Sequence, residues 1–368
     1  MKAFGNFIRS KAFEIVFLLF SCLSVFYVSD RIEKFIFAFF NINTEYIVFV
    51  ILSVIMGYMY FYTKSNKKIK KSRKLHEVLS IIICIVLYLV IGLWIYDILD
   101  LFFHFQDDRG YILPIVFCIL VTFYGFLHAK KLYIKKYKIK LKDKSEAYRL
   151  ILLSDIHTGA YVDFKQLSKI VDKVNELNPD IVLIAGDMFD VEAFQYCDKD
   201  KISEILRKLK ANSEKYSVLG NHDPDSHSGE IKDFYKASNI RLLIDEVIET
   251  DKFVIVGRDD ITTNPKRRNL KDLLSQILVK KPVIVMDHNP LGINDAVFNS
   301  VDLILCGHTH KGQFFPANIF TKLAYGKVGY YGYHKIDKTN IVISSGAGFF
   351  QMPMRIGSNS EIVVIDII

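Results

Sequence analysis

The sequence has little of what marks several common protein classes. Its 368 residues include five cysteines, and no two of them form a C-x-x-C pair. A disulfide-dense secreted module, a zinc ribbon and a redox dithiol are therefore excluded. Cys22, Cys84 and Cys118 lie in apolar runs, leaving Cys197 and Cys306 elsewhere, and all five read as free thiols. Only 8 prolines and 19 glycines, with 24% charged residues, argue against a collagen-like, low-complexity or disordered chain. No internal repeat stands out. Charge of one sign is not in great excess either: Lys and Arg number 48 against 40 Asp and Glu, a net +8 whose meaning depends on where the bases sit.

Apolar residues are abundant, at 51% of the chain, and mean hydropathy is +0.22. Both are high for a purely soluble protein. Four long apolar runs account for them, near residues 12–28, 46–62, 78–98 and 111–127. Each approaches the roughly 20 residues that an α-helix needs to cross a hydrocarbon core of about 30 Å. Four in succession point to four transmembrane helices rather than to buried helices of a globular core. Charge orients them. Lys2, Arg9 and Lys11 precede the first run, and a dense tract from Lys64 to Lys74 lies between the second and third. Another runs from Lys130 to Lys144, after the fourth. The first loop, with Asp30, Arg31, Glu33 and Lys34, is balanced, and the third, with Asp107, Asp108 and Arg109, is slightly acidic. The positive-inside rule then places the N-terminus, the second loop and everything after Leu127 in the cytoplasm. Asp97, Asp100 and His104 are expected to mark the outer end of the third helix. With both basic tracts at one membrane face, topology signalling and contact with anionic phospholipid explain them, and no nucleic-acid partner is expected.

Composition changes near residue 145. The organisation expected is a membrane region over 1–129, a basic linker over 130–146 and a soluble domain over 147–368. In the last, short β-branched runs end in polar clusters: 149–153, 180–185, 215–219, 252–256, 282–286, 302–306, 340–344 and 361–367. Helix-period segments such as 164–177 and 201–209 lie between several of them. Strands alternating with helices point to βαβ units, and near-continuous apolar strands point to sheets covered on both faces.

Five of those strands lead directly into polar clusters. They are Ser154-Asp155-Ile156-His157, Gly186-Asp187-Met188-Phe189-Asp190, Gly220-Asn221-His222-Asp223, Asp287-His288-Asn289-Pro290 and Gly307-His308-Thr309-His310. Ligand sites in open α/β sheets collect beyond the carboxyl ends of strands, so five such clusters predict one site. The donors are His, Asp and Asn with no thiolate, which suits Mn, Fe, Zn or Ni better than an all-oxygen calcium site. On an extended strand end Asp155 and His157 would project to one face, as would His308 and His310. An aspartate such as Asp187 has two oxygens and can bridge two cations, and two metals about 3.5–4 Å apart can activate water and stabilise attacking and leaving oxygens together. Each element alone is weak; the ordered set is specific.

The stretch from Asp155 to His310 resembles the calcineurin-like metallophosphoesterase superfamily, and within it the bacterial membrane-associated phosphoesterases of the YaeI and YkuE type. The resemblance covers roughly residues 147–368. It implies a four-layer α/β/β/α sandwich, here preceded by a four-helix transmembrane region, and a centre of two divalent metals (Mn, Fe or Zn). By motif, Asp155, His157 and His310 would hold one metal, Asn221, His288 and His308 the other, and Asp187 would bridge. His222 would be the acid at the leaving oxygen, oriented by Asp223. Ser345-Gly346-Ala347-Gly348 and Pro353-Met354-Arg355 also echo the subgroup. Where the family often has glycine after the last metal histidine, this chain has Lys311; Lys311 and Arg355 could pair with substrate phosphate.

The expectation is thus a multi-pass cytoplasmic-membrane phosphohydrolase, a phosphodiesterase or pyrophosphatase, with its catalytic domain in the cytoplasm. Four helices exceed what a tether needs, which favours a lipid or lipid-linked phosphate substrate. Some membrane-bound relatives cleave UDP-diacylglucosamine. The aromatic stretch from Phe314 to Tyr333 would be an acyl-chain groove or ordinary core and rim. The alternatives are a tethered esterase for soluble nucleotides or nucleic acid, and a non-catalytic membrane sensor or scaffold.

Overall fold

The computed structural model describes residues 11–64, 72–105, 107–141, 147–190, 193–223 and 229–368. Lys2 and Arg9, the bases at 67–71, and Lys142 and Lys144 lie outside the described residues. The chain divides into two compact units, Met1–Phe126 and Leu127–Ile368.

All four apolar runs are helical: α1 (Lys11–Phe40), α2 (Ile47–Lys64), α3 (Arg73–Phe103) and α4 (Ile112–Ala129). Among the described residues, two helices are long and apolar enough to cross a membrane. They are Arg73–Phe103 and Asp108–Ala129, the latter joining a 3₁₀ turn to α4. The shorter apolar stretch Ile47–Tyr60 does not reach that length. The first helix corrects the sequence reading. It continues through Asp30, Arg31, Glu33 and Lys34, which were expected in a loop. The reason is a polar anchor on α3. Arg31 Nε and Nη2 donate to Asp97 Oδ2 at 3.0 and 2.8 Å, the Tyr27 hydroxyl donates to the same oxygen at 2.7 Å, and the Tyr111 hydroxyl donates to Asp97 Oδ1 at 3.2 Å. The guanidinium also stacks 4.8 Å over the Tyr27 ring. A charged residue in so apolar a helix is tolerated when paired in this way.

The second unit is built on two six-stranded sheets. The strands in chain order are β1 (Leu132–Ile139), β2 (Tyr148–Leu153), β3 (Ile181–Ala185), β4 (Lys215–Val218), β5 (Arg241–Leu242), β6 (Glu246–Glu249), β7 (Val254–Gly257), β8 (Val283–Met286), β9 (Leu303–Cys306), β10 (Gly332–Ile336), β11 (Thr339–Ile343) and β12 (Ser360–Ile367). One sheet runs β1-β12-β2-β3-β4-β5, the other β10-β11-β9-β8-β7-β6. Residues 132–139 are therefore no linker: β1 pairs in parallel with β12 from Leu132↔Ser360 to Ile139↔Ile367.

Period-2 alternation builds the layers. Leu150, Leu152, Leu183, Val218, Ile284, Met286 and Leu305 meet between the sheets. Their sequence neighbours Ile151, Leu153, Val182 and Ile184 face outward to α5 (Phe164–Glu176) and the helices after it, through Leu167, Ile170 and Val174. Val285, Ile304 and Ile341 of the other sheet face Leu270, Leu273, Ile293 and Ala296. Helices thus cover both outer faces, and the central strands are buried on both sides. This arrangement leaves the carboxyl ends of β2, β3, β4, β8 and β9 as the place where polar side chains converge.

Candidate metal centre

Every sequence-predicted ligand arrives at that place. His157 Nε2 lies 3.1 Å from His310 Nε2, and His310 Nε2 lies 3.4 Å from Asp155 Oδ1. Asn221 Oδ1 lies 2.7 Å from His308 Nδ1 and 3.2 Å from His288 Nε2, with those two nitrogens 3.3 Å apart. Asp187 Oδ2 stands between the two groups, 3.6 Å from His157 Nε2 and 3.2 Å from His288 Nε2. Asp155, Asp187 and His288 also offer ligand atoms within 4.8 Å of one another, as do Asp155, His157 and His310. All of these His and Asp residues are buried except His308, which is half-buried.

The convergence is not produced by strand alternation, as the sequence suggested. Asp155, His157, Asp187, His308 and His310 all adopt left-handed backbone conformations, with φ of 50°, 51°, 51°, 71° and 49°. Such residues cost of order 1–3 kcal/mol each and persist where the surroundings fix them. Backbone bonds do so here: Asp155 N–H donates to the Gly186 carbonyl at 3.0 Å, and His157 N–H donates to the Asp187 carbonyl at 3.1 Å. The His308 N–H in turn donates to the Asp155 carboxylate at 3.0 Å. Close approach demands glycine at two points. A Cβ on Gly220 would sit 2.1 Å from Asp187 Oδ1, and one on Gly186, whose φ is +81°, would sit 2.7 Å from His288 Nδ1.

The donor chemistry fits divalent metal. The His288 Nδ1–H donates to the Ala185 carbonyl at 2.8 Å, which turns the Nε2 lone pair into the cluster. Burial pushes the imidazoles of His157 and His308 down to about 3 and about 4, and holds His310 well below its ordinary value. These are neutral rings with lone pairs to share. Burial pushes Asp155 up to about 6. Burial also opposes a charged His288, but the Asp187 carboxylate beside it outweighs this and raises its pKa well above normal. The same pairing holds Asp187 below the usual carboxylate range despite its burial. The cluster retains protons where a metal cation would replace them.

The remaining predicted residues do not all stand as expected. His222 is at the rim, its N–H donating to Asp187 Oδ1 at 2.8 Å and its ring 5.3 Å from His157. Burial lowers its pKa, and its Nδ1 has no hydrogen-bond partner. Asp223 therefore does not orient it. That carboxylate instead accepts the backbone N–H groups of Asp187, Phe189 and Gly220, at 3.1, 3.0 and 2.8 Å. It ties the Gly186 and Gly220 loops together. Burial raises its pKa to about 7. Arg355 is fully buried, and its guanidinium donates to the carbonyls of Ser345, Gly348 and His310 at 2.6, 2.5 and 3.3 Å. Its side chain is closed to solvent. Lys311 is half-buried, with its ammonium 4.7 Å from the centre of the Tyr331 ring.

Two further residues belong to the site. Phe350 packs against His222 and His157, with ring centres 4.3 and 5.2 Å apart; nothing in its sequence context signalled this. Asp260 is fully buried with Oδ2 unpartnered, and its charge acts on His288, His308 and His222. It follows β7, so the strand-end rule applied once more would have found it. Next to the cluster, Asp287 accepts both Arg267 Nη atoms, at 2.9 and 2.7 Å, which anchors the turn carrying His288.

Residues 148–312 match the calcineurin-like phosphoesterase family. Among curated relatives, the chain is similar to a transmembrane protein with metallophosphoesterase domain from Danio rerio, 29% identical over 70% of this chain and 62% of that one. It is 32% identical to an uncharacterized metallophosphoesterase of Helicobacter pylori, over 63% of each chain. It is 28% identical to the uncharacterized metallophosphoesterase YkuE of Bacillus subtilis, over 60% of this chain and 78% of that one. The match to the first two spans less than two thirds of their lengths.

Proposed function

We propose that the chain is a membrane-anchored, two-metal phosphohydrolase acting on a lipid or lipid-linked phosphodiester or pyrophosphate, a reading supported by the match of residues 148–312 to the calcineurin-like phosphoesterase family. The observation that carries this reading is the meeting of five nitrogen and oxygen donor sets from the ends of both sheets, with Asp187 between two triads. Asp155, His157 and His310 would hold one metal, Asn221, His288 and His308 the other, and Asp187 would touch both. Two divalent ions, manganese, iron or zinc, supply Lewis acidity and water activation when bound. The chain's own residues do the rest. Asp155 and Asp187 give the site anionic charge to offset the cations. His222, at the rim, would hand a proton to the departing oxygen, and Phe350 packs against one side of its ring. Lys311 stands beside the last histidine as the cation for a second phosphate.

The lipid assignment rests on the helices. Two of them have spanning length, and in the sequence four apolar runs alternate with basic tracts, from which we infer four crossings with the catalytic domain on the cytoplasmic side. The full-length protein, loaded in turn with manganese, iron and zinc, should be assayed in liposomes against lipid-linked diphosphates, their water-soluble headgroups, nucleotides and a chromogenic diester. Preference for the lipid-linked form over its own headgroup is expected. A ranking with soluble nucleotides on top would replace it with the tethered-nucleotidase reading. Fully loaded protein inactive on every substrate would favour a scaffold.

A further inference from the structure

The segment Ala317–Tyr330, labelled α11 as the eleventh helix among the described residues, is helical up to a break at Gly326, where φ is +69°, and the helix before that break has an apolar face that its own domain leaves open. Ile319, Phe320 and Leu323 are 48%, 64% and 76% exposed. Ile319 and Leu323 are four apart and Phe320 is three before Leu323, so the three form one stripe. Lys322, three after Ile319, is exposed beside it, and Lys327 is exposed just past the break at Gly326. The other side of the helix is tied to the metal cluster. The Thr309 hydroxyl donates to the Tyr330 carbonyl at 2.7 Å, the Tyr330 hydroxyl donates to the Lys311 carbonyl at 3.0 Å, and the Tyr325 ring lies 5.8 Å from His308.

We infer that α11 is an interfacial membrane-binding element, lying in the plane of an anionic bilayer with its stripe at the headgroup–acyl boundary. Large apolar residues on one face flanked by lysine, in a helix too short to span, are the pattern of in-plane helices. The lysines complement lipid phosphate, and their long stems let the ammonium groups reach it while the stripe is immersed. The chain also carries two helices of membrane-spanning length, so the bilayer is the apolar phase this face meets at the highest local concentration. This inference rests on the membrane anchoring proposed above and not on a lipid being the substrate. It has a functional consequence: lipid headgroups are brought to within one helix of His308 and His310.

The test uses the full-length protein with Cys22→Ser, the other four cysteines being buried. Leu323→Cys, and separately Leu278→Cys at a 95% exposed control position, is spin-labelled and reconstituted into phosphatidylcholine–phosphatidylglycerol vesicles. Flotation reports anchoring; relaxation by oxygen against a water-soluble nickel chelate reports depth. The Leu323 label is expected to be oxygen-accessible and at least several-fold shielded from nickel relative to the Leu278 label, with less shielding in pure phosphatidylcholine. Protein that floats while both labels show equal nickel access overturns the docking surface and leaves the anchoring standing. Protein that does not float overturns both. A Leu323 label in vesicles that is shielded from oxygen as well as from nickel assigns the face to a second protein copy and also overturns it. No substrate enters the measurement, so its result is independent of the substrate assignment.

Discussion

Arg355 holds the backbone that carries His310. Its Nη1 donates to the His310 carbonyl at 3.3 Å, and its Nη2 donates to the carbonyls of Ser345 and Gly348 at 2.6 and 2.5 Å. One planar fork thus joins the histidine loop to the segment between β11 and β12. Lysine cannot reproduce that geometry.

Arg355→Lys should therefore act through stability and metal retention. Each buried carbonyl left unpaired costs about 1–3 kcal/mol, so a clear drop in melting temperature and a loss of bound metal are expected, with little change in KM for whatever activity remains. A variant as stable as the parent with a several-fold higher KM would return Arg355 to a role on substrate phosphate.

Asp223 yields a similar contrast. Since its carboxylate ties three backbone N–H groups and does not touch His222, Asp223→Ala should loosen the Gly186 and Gly220 loops. Metal affinity and melting temperature should fall together, while the pH dependence of residual kcat keeps its shape. A shifted alkaline limb with metal content intact would mean that Asp223 tunes His222 after all.

Asp187 and His222 separate holding metal from moving a proton. Asp187→Asn removes the charge that stands between His157 and His288, and the variant should lose both metal and turnover while still folding. His222→Ala should keep its metal and lose kcat by roughly 10²–10⁴-fold, the usual size of a general acid–base contribution. Metal analysis by mass spectrometry beside steady-state kinetics decides both. An active, fully loaded Asp187→Asn would dismantle the assigned centre.

What the sequence made legible follows burial. The eight strands read from apolar runs are β2, β3, β4, β7, β8, β9, β11 and β12, all interior to their sheets. The four that escaped, β1, β5, β6 and β10, are the four sheet edges. Edge strands carry charge to discourage pairing with other chains, and Lys135, Lys136 and Lys138 in β1 make it read as a basic linker. The convergence of polar side chains was legible because the five clusters follow interior strands. The parts misread depend on contacts remote in sequence. Arg31 reads as a loop residue in the sequence because its partner Asp97 is 66 positions away. Asp223 and Arg355 look like catalytic groups by type, and only their backbone partners reveal that they hold loops.

The protonation pattern of the cluster sets how metal binding should depend on pH. Burial pushes Asp155 up to about 6, and His288 is raised well above its ordinary value where Asp187 outweighs its burial. These are the protons a metal must displace between pH 5 and 8. His157 and His308, pushed down to about 3 and about 4, are already neutral there and do not compete. Affinity should therefore rise with pH through that window, by about tenfold per unit for each proton displaced. The stability linkage has a matching sign. A carboxyl whose folded pKa is raised stabilises the metal-free fold fully below its unfolded value near 4, and that contribution is lost as pH rises through about 6. Bound metal cancels the loss. The melting-temperature gain on adding manganese to the chelator-stripped protein should thus be larger at pH 8 than at pH 5. Equal gains at both values would show that Asp155 is already ionised in the metal-free site and would remove it as the competing proton.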